Sequence, residues 1–242
     1  SARRWRLHGA FAASSPPGCR RTWAITPRLP SPGWKNRMEN EMNAIEELLA
    51  RYPQLEVCAA EIAAAADALS DCFRGDGKVL VCGNGGSAAD AEHIVGELMK
   101  KFRKPRPVAE EIAAKLPPEL AARLEGALPA ISLVSMSGLL TAFANDVAWE
   151  AAFAQQVLGL GGADDVLMAL STSGDSMNCM HAARVARAKG MRVIALTGAR
   201  GGSLAALADV AIRVPANETF KVQELHLPVY HALCAYVEDC LF

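Results

Sequence analysis

The feature that most constrains the fold of this chain is its alternation of short apolar runs with longer stretches of helical period. Apolar runs of about five residues recur at 78–82, 131–135, 166–170, 192–196 and 210–214. Between them lie segments whose apolar residues repeat with a helical period: 41–73 (interrupted near Pro53), 87 to about 101, 137–145, 149–158, 175–189, 203–208 and 219–241. Strands of that length separated by helices form βαβ units, whose strands lie parallel because each crossover helix carries the chain back over the sheet. The expected fold is therefore α/β: a doubly wound, mostly parallel five-stranded sheet flanked by helices, with N-terminal helices and a helical insertion. Composition agrees, because 51% of the residues are apolar but only 6% aromatic, which suits helices on a parallel sheet better than a β-sandwich.

The rhythm breaks twice. Residues 1–37 hold eight Lys or Arg and no acid, leaving 17 basic against 26 acidic residues in the remainder. They also hold five of the 13 prolines and three of the four tryptophans, without helical or strand period. A nucleic-acid-binding arm, a transit peptide and a non-native extension ahead of Met38 all fit that composition. The extension is favoured, because the acidic run from Met38 reads as the start of an amphipathic helix. Nucleic acid is accordingly not expected as a partner, and 38–242 is read as one domain. The second break, 104–128, follows a basic, proline-rich start and reads as two short helices around Pro117 and Pro118, an inserted lid or oligomer contact.

No run reaches the roughly 18 apolar residues that span a bilayer, so no membrane association is expected. The seven cysteines, at 19, 58, 72, 82, 179, 234 and 240, include no CxxC pair. They read as reduced, buried thiols, which implies a reducing compartment and a cytoplasmic location.

Two strand-to-helix junctions carry small polar residues. Ser171-Thr172-Ser173-Gly174-Asp175-Ser176 offers four hydroxyls at a helix N-terminus, where free N–H groups and the helix dipole favour an anion. A helix cap needs only one such residue. The loop has no lysine, which excludes a Walker-type nucleotide cradle and favours a sugar monophosphate. The other junction, Cys82-Gly83-Asn84-Gly85-Gly86-Ser87, lets backbone approach a ligand closely, although such a turn is also a common tight connection. In open α/β sheets, ligands sit outside the carboxyl ends of the strands, where both loops fall.

The next helix carries His93 and Glu97 on one face, and the last helix carries Gln223, His226 and His231. His93, Glu97, Gln223 and His231 make a candidate divalent metal site or an acid–base set for moving a proton between sugar carbons. The plain alternative is a satisfied core histidine and a solvated glutamate.

These residues carry a resemblance. GNGGS followed by AEHIVGEL, then STSGDS, LTGARGG and QELH with a second histidine five residues on, resemble the sugar isomerase (SIS) domain over roughly residues 41–242 apart from the insertion. The branch they most resemble is the phosphoheptose isomerases, which convert sedoheptulose 7-phosphate to the D-glycero-D-manno-heptose 7-phosphate used in lipopolysaccharide and other surface polysaccharides. The resemblance implies Glu97 as general base and His231 as general acid, acting through a cis-enediol. It implies one zinc ion per subunit on His93, Glu97, Gln223 and His231. Substrate contacts are implied for Asn84, Gly85, Gly86, Ser87, Asp146, Ser171, Thr172, Ser173, Ser176 and Gln223, in a homotetramer with active sites at subunit interfaces.

The chain departs from that pattern where Asp175 replaces a usual Asn, setting a charge beside the expected phosphate, and where Phe220-Lys221 replaces a usual Asp-Arg pair. A non-catalytic SIS module, either a phosphosugar sensor or a replication-initiator adaptor, is the alternative function. The Leu-Phe ending resembles the adaptor branch, but Glu97 argues against a protein that moves no proton.

Overall fold

The computed structural model describes residues 43–242. The basic segment 1–37 and the candidate start at Met38 lie outside the described residues.

Asn43 opens the first helix, α1 (Ala44–Arg51). Its side-chain oxygen accepts the N–H of Ile45 at 2.9 Å and of Glu46 at 3.0 Å, and Glu46 Oε2 accepts the Asn43 N–H at 2.9 Å. This reciprocal capping satisfies amides that a helix start leaves unpaired. Pro53 has no N–H with which to continue the helix. The chain passes through a 3-10 turn (Pro53–Cys58) into α2 (Ala59–Arg74).

Five strands follow: β1 (Val79–Cys82), β2 (Ala130–Ser132), β3 (Val166–Leu170), β4 (Arg192–Gly198) and β5 (Val210–Val214). They pair in the order β2-β1-β3-β4-β5, and every pair is parallel, so the sheet is wholly rather than mostly parallel. β2 is shorter than its apolar run, because the Ser135 N–H turns back to the Ser132 carbonyl at 3.4 Å.

The crossovers are α3 (Gly86–Met99), α6 (Ser137–Asp146), α7 (Ala152–Leu160), α8 (Met177–Ala188) and α9 (Gly202–Leu207), and α10 (Thr219–Leu241) closes the chain. Successive strand residues point to opposite faces. Val79, Val81, Met168, Leu170, Ile194 and Leu196 join the core under α1, α2, α3 and α10. Leu80, Cys82, Leu167, Ala169, Val193 and Ala195 join the second core, under α7 and α8. The helices that carry His93, Glu97 and His231 thus lie on the same face of the sheet.

The segment 104–128 contains α4 (Glu110–Ala113) and α5 (Pro118–Ala121), neither of which buries a residue. It is held at its base, where the Gly126 N–H donates to the Arg106 carbonyl at 2.7 Å. All six described cysteines are unpaired and five are buried. No helix among the described residues is long and apolar enough to cross a membrane.

His226 is buried on α10, with Nε2 at 3.3 Å from the Thr197 carbonyl of β4 and Nδ1 without a partner. Burial lowers its pKa to about 4, against a weaker raising effect of the Thr197 bond. The unfolded chain therefore takes up a proton near pH 6.5 that the folded chain refuses until about pH 4, so stability is lost as pH falls through that window. Denaturant titrations should show stability falling by about 2 kcal/mol between pH 7.5 and pH 5, and His226→Asn should remove most of that slope.

Candidate active site

Because β2 and β3 flank β1 on opposite sides, the strand order reverses between β1 and β3, and a crevice opens at their carboxyl ends. The segments 83–86 and 171–176 leave those two strands and form its walls. Gly85 has φ +57° and starts α3. Gly83 packs so closely on the buried Ser87 that a Cβ would collide with the Ser87 carbonyl. Asn84 exchanges two hydrogen bonds with Asn178 of α8, Nδ2 to Oδ1 at 2.9 Å and the reverse at 2.8 Å. Sequence reasoning missed Asn178, which stands just beyond the serine loop with no spacing signal of its own.

In the serine loop, the hydroxyls of buried Ser171 and of Ser176 lie 2.8 Å apart. Ser173 Oγ accepts the Asp175 N–H at 3.1 Å. The loop is locked to the turn after β4: the Gly198 N–H donates to the Thr172 carbonyl at 3.1 Å and the Leu204 N–H to the Gly174 carbonyl at 2.8 Å. Gly174 has φ +74°, and a Cβ there would strike the Gly201 carbonyl. The helix after this loop starts at Met177, two residues later than its period suggests, because Asp175 is used elsewhere. Its Oδ1 accepts the Ser203 N–H at 2.8 Å, at the start of α9. Those Ser203 hydrogen bonds, and more weakly the charge of Arg200, hold its carboxyl below the usual range. The expected charge beside the loop is therefore turned onto a neighbouring helix.

The acid–base candidates meet two turns down α3. His93 Nε2 lies 3.2 Å from Glu97 Oε1 and 3.4 Å from His231 Nε2. Lys100 Nζ donates to Glu97 Oε2 at 2.8 Å. Burial pushes the Glu97 carboxyl up, but the bond and charge of Lys100 together with His93 bring it below the usual value, so it is ionised at neutral pH. Burial, followed by the charge of His93, lowers His231, with Glu97 opposing. Behind them, the Tyr230 hydroxyl donates to Asp90 Oδ1 at 3.1 Å and lies 3.0 Å from His93 Nδ1. Phe102 packs on His231 with ring centroids 5.4 Å apart. Tyr230 and Asp90 were legible in principle, as the neighbour of His231 and as the residue one turn before His93. A cavity of about 330 Å³, lined by Arg51, Tyr52, Arg103 and Leu227 among others, opens beside His231.

Two candidates stand apart within one chain. The Gln223 amide lies against Gly86, within 2.6 Å of where a Cβ would be, at the loop end of the paired helices α3 and α10. Asp146 ends α6, is exposed, and accepts from Asn145 Nδ2 at 2.8 Å. Among the described residues no three His, Cys, Asp or Glu side chains are placed to hold a metal ion within one chain, and the Glu97 carboxylate is divided between His93 and Lys100.

Comparison with known proteins is decisive here. SIS domain models match residues 42–126 and 136–236. The phosphoheptose isomerase of Rhodospirillum rubrum is 41% identical over 205 residues, covering 84% of this chain and 99% of that protein. The chain belongs to the phosphoheptose isomerase family. The phosphoheptose isomerase of Laribacter hongkongensis is 40% identical over 81% of this chain and 92% of its own length. The solved structure of a phosphoheptose isomerase from Neisseria gonorrhoeae superposes with a TM-score of 0.65 at 35% identity, over 80% of this chain and 93% of that one. A Francisella tularensis phosphoheptose isomerase gives the same score and identity over 78% and 90%. The family and the five-stranded fold therefore agree with the SIS resemblance of the loop and helix motifs.

The lock between the serine loop and the turn after β4 depends on glycine at 174. Gly174→Ala should cost at least about 2 kcal/mol, since both the positive φ and the backbone contact oppose a side chain. Thermal melting checks this, with a parallel loss of phosphosugar binding.

Proposed function

We propose that this chain interconverts sedoheptulose 7-phosphate and D-glycero-D-manno-heptose 7-phosphate by proton transfer through a cis-enediol. The observation that carries the reading is the cluster in which the Glu97 carboxylate and the His231 ring both touch His93. Glu97 takes the proton from C1 of the ketose and returns it to C2. His231 donates a proton to the C2 oxygen as the carbonyl becomes a hydroxyl, and accepts one from the C1 hydroxyl as the aldehyde forms. Protons and charge balance across the two half-steps. Asn84, Gly85, Gly86, Ser87, Ser171, Thr172, Ser173 and Ser176 would bind the sugar and its phosphate through short donors.

Distance supports a site shared between subunits. Gly86 and Glu97 are eleven residues apart on one helix, about 16 Å at 1.5 Å per residue. A seven-carbon phosphosugar is shorter than that, which favours Glu97 working with the loops of a neighbouring copy over its own. In a homotetramer, the loops of one subunit would face Glu97 and His231 of the next, and Asp146 and Gln223 would arrive with them. Exposed Leu139, Val147, Trp149 and Leu227 offer apolar surface for such contacts.

Zinc, one ion per subunit, belongs to the same reading. Two imidazoles and a carboxylate are an ordinary zinc donor set with a position left open. His93 Nε2 brings the set together, 3.2 Å from Glu97 Oε1 and 3.4 Å from His231 Nε2, and Tyr230 at His93 Nδ1 supplies the outer hydrogen bond that orients such a ligand. His93, Glu97 and His231 would hold the ion, with Gln223 of a neighbouring copy. When bound, it would supply a Lewis acid at the substrate's carbonyl end. The unpaired buried thiols favour a cytoplasmic location.

Glu97→Gln should lower turnover of sedoheptulose 7-phosphate by about 100-fold or more, while calorimetry shows phosphosugar binding retained. Near-normal turnover in that variant sinks the assignment of Glu97, and no wild-type turnover with or without added zinc sinks the heptose assignment. Co-assembly of Glu97→Gln with Ser171→Ala subunits should restore about a quarter of wild-type activity, because one site in four then receives both intact halves. Hybrids no more active than the two parents would exclude the shared site.

A further inference from the structure

Arg106 lies just inside the insertion, yet its side chain is fully buried. Its Nε donates to Glu238 Oε1 at 2.7 Å, Nη1 to the Leu98 carbonyl at 2.7 Å, and Nη2 to the Glu97 carbonyl at 3.3 Å. The last carbonyls of a helix have no amide partners of their own, and a positive charge there opposes the negative end of the helix dipole. One guanidinium thus caps the end of α3 at the very residue whose side chain faces His93.

Glu238, equally buried, sits on α10 two turns beyond His231. Besides Arg106, it accepts the backbone N–H groups of Phe102 at 2.9 Å, Arg103 at 2.6 Å and Lys104 at 2.9 Å. Those bonds hold the turn that seats Phe102 on the His231 ring. The aromatic ring of Phe242 covers the guanidinium, 5.2 Å from its carbon.

We propose that Arg106 and Glu238 are positioning residues that set the spacing of Glu97 on α3 against His231 on α10. The proposal rests on the reading of those two residues as the proton-moving pair. A buried ion pair is a poor source of net stability, since two apolar side chains of similar volume commonly fold as well. Its directional bonds to three successive amides and two helix-end carbonyls are what an apolar pair cannot reproduce. Neither residue touches the substrate loops, so the pair acts on geometry at the reacting carbons and leaves phosphate binding alone.

Arg106→Lys keeps the charge but loses the planar fork, and an ammonium, whose three donors radiate from one atom, does not reproduce bonds now made from three separate nitrogens. Turnover of sedoheptulose 7-phosphate by the folded variant should fall by about tenfold or more, with KM within roughly threefold, because small misplacements of reacting groups reduce kcat first. The NMR cross-peaks between the Phe102 and His231 rings should be lost in the same variant and retained in Glu97→Gln. If Arg106→Lys does not fold, the double variant Arg106→Met, Glu238→Met is read in the same way. A folded variant with wild-type kcat overturns the proposal, and so does a kcat loss with the ring contact unchanged. If the wild type itself does not turn over this sugar, the isomerase reading fails on its own. The ring contact then decides positioning: its loss in the variant supports the proposal and its persistence overturns it.

Discussion

Parallel strands bury both of their faces, and that requirement shapes the rest of this molecule. Nearly every side chain of the central strands is sealed under helices, including Leu80, Val81, Leu167, Met168, Val193 and Ile194. The sheet therefore offers no side chain for chemistry except at its ends. Function is displaced to two places: the loops where strands give way to helices, and the outward edges of α3 and α10. The order reversal between β1 and β3 selects which loops matter, because only there do two connections diverge and leave a crevice.

The length of α3 then imposes a second constraint. A helix is a rigid spacer, and this one holds its glycine-rich start and its carboxylate on opposite sides of a gap wider than the substrate. The shared site proposed above answers that spacing by drawing the loops from a second copy of the chain. Gln223 stays beside Gly86 for the same reason, since α10 runs alongside α3 and carries its own polar residues at matching heights. The exposed carboxylate of Asp146 accepts only its neighbour Asn145 among the hydrogen bonds described above.

Much of the architecture was legible in the sequence, because apolar runs and helical periods record burial directly. The five strands, the break at Pro53 and the two short helices around Pro117 and Pro118 all follow from local rules. The serine loop and the His93–Glu97–His231 group were also legible, since each is a short motif with a chemical reason for its spacing. Long-range pairings were not. Nothing local announces that Asn178 faces Asn84, that Asp175 reaches Ser203, or that Arg106 in an inserted segment reaches under two helices to Glu238. Those contacts depend on where the third dimension brings distant segments, and a reading by period does not contain it.

The reciprocal amide pair between Asn84 and Asn178 preorganises the junction between the two loops. The pair uses one donor and one acceptor of each amide, so the two side chains are oriented by each other while Asn84 Oδ1 and Asn178 Nδ2 keep capacity for a further hydrogen bond. Two loops that leave different strands are thereby fixed at one height, and the free lone pair and the free N–H point from a rigid frame instead of from two side chains that must first be ordered. A ligand hydroxyl meeting them loses little rotamer entropy on the protein side.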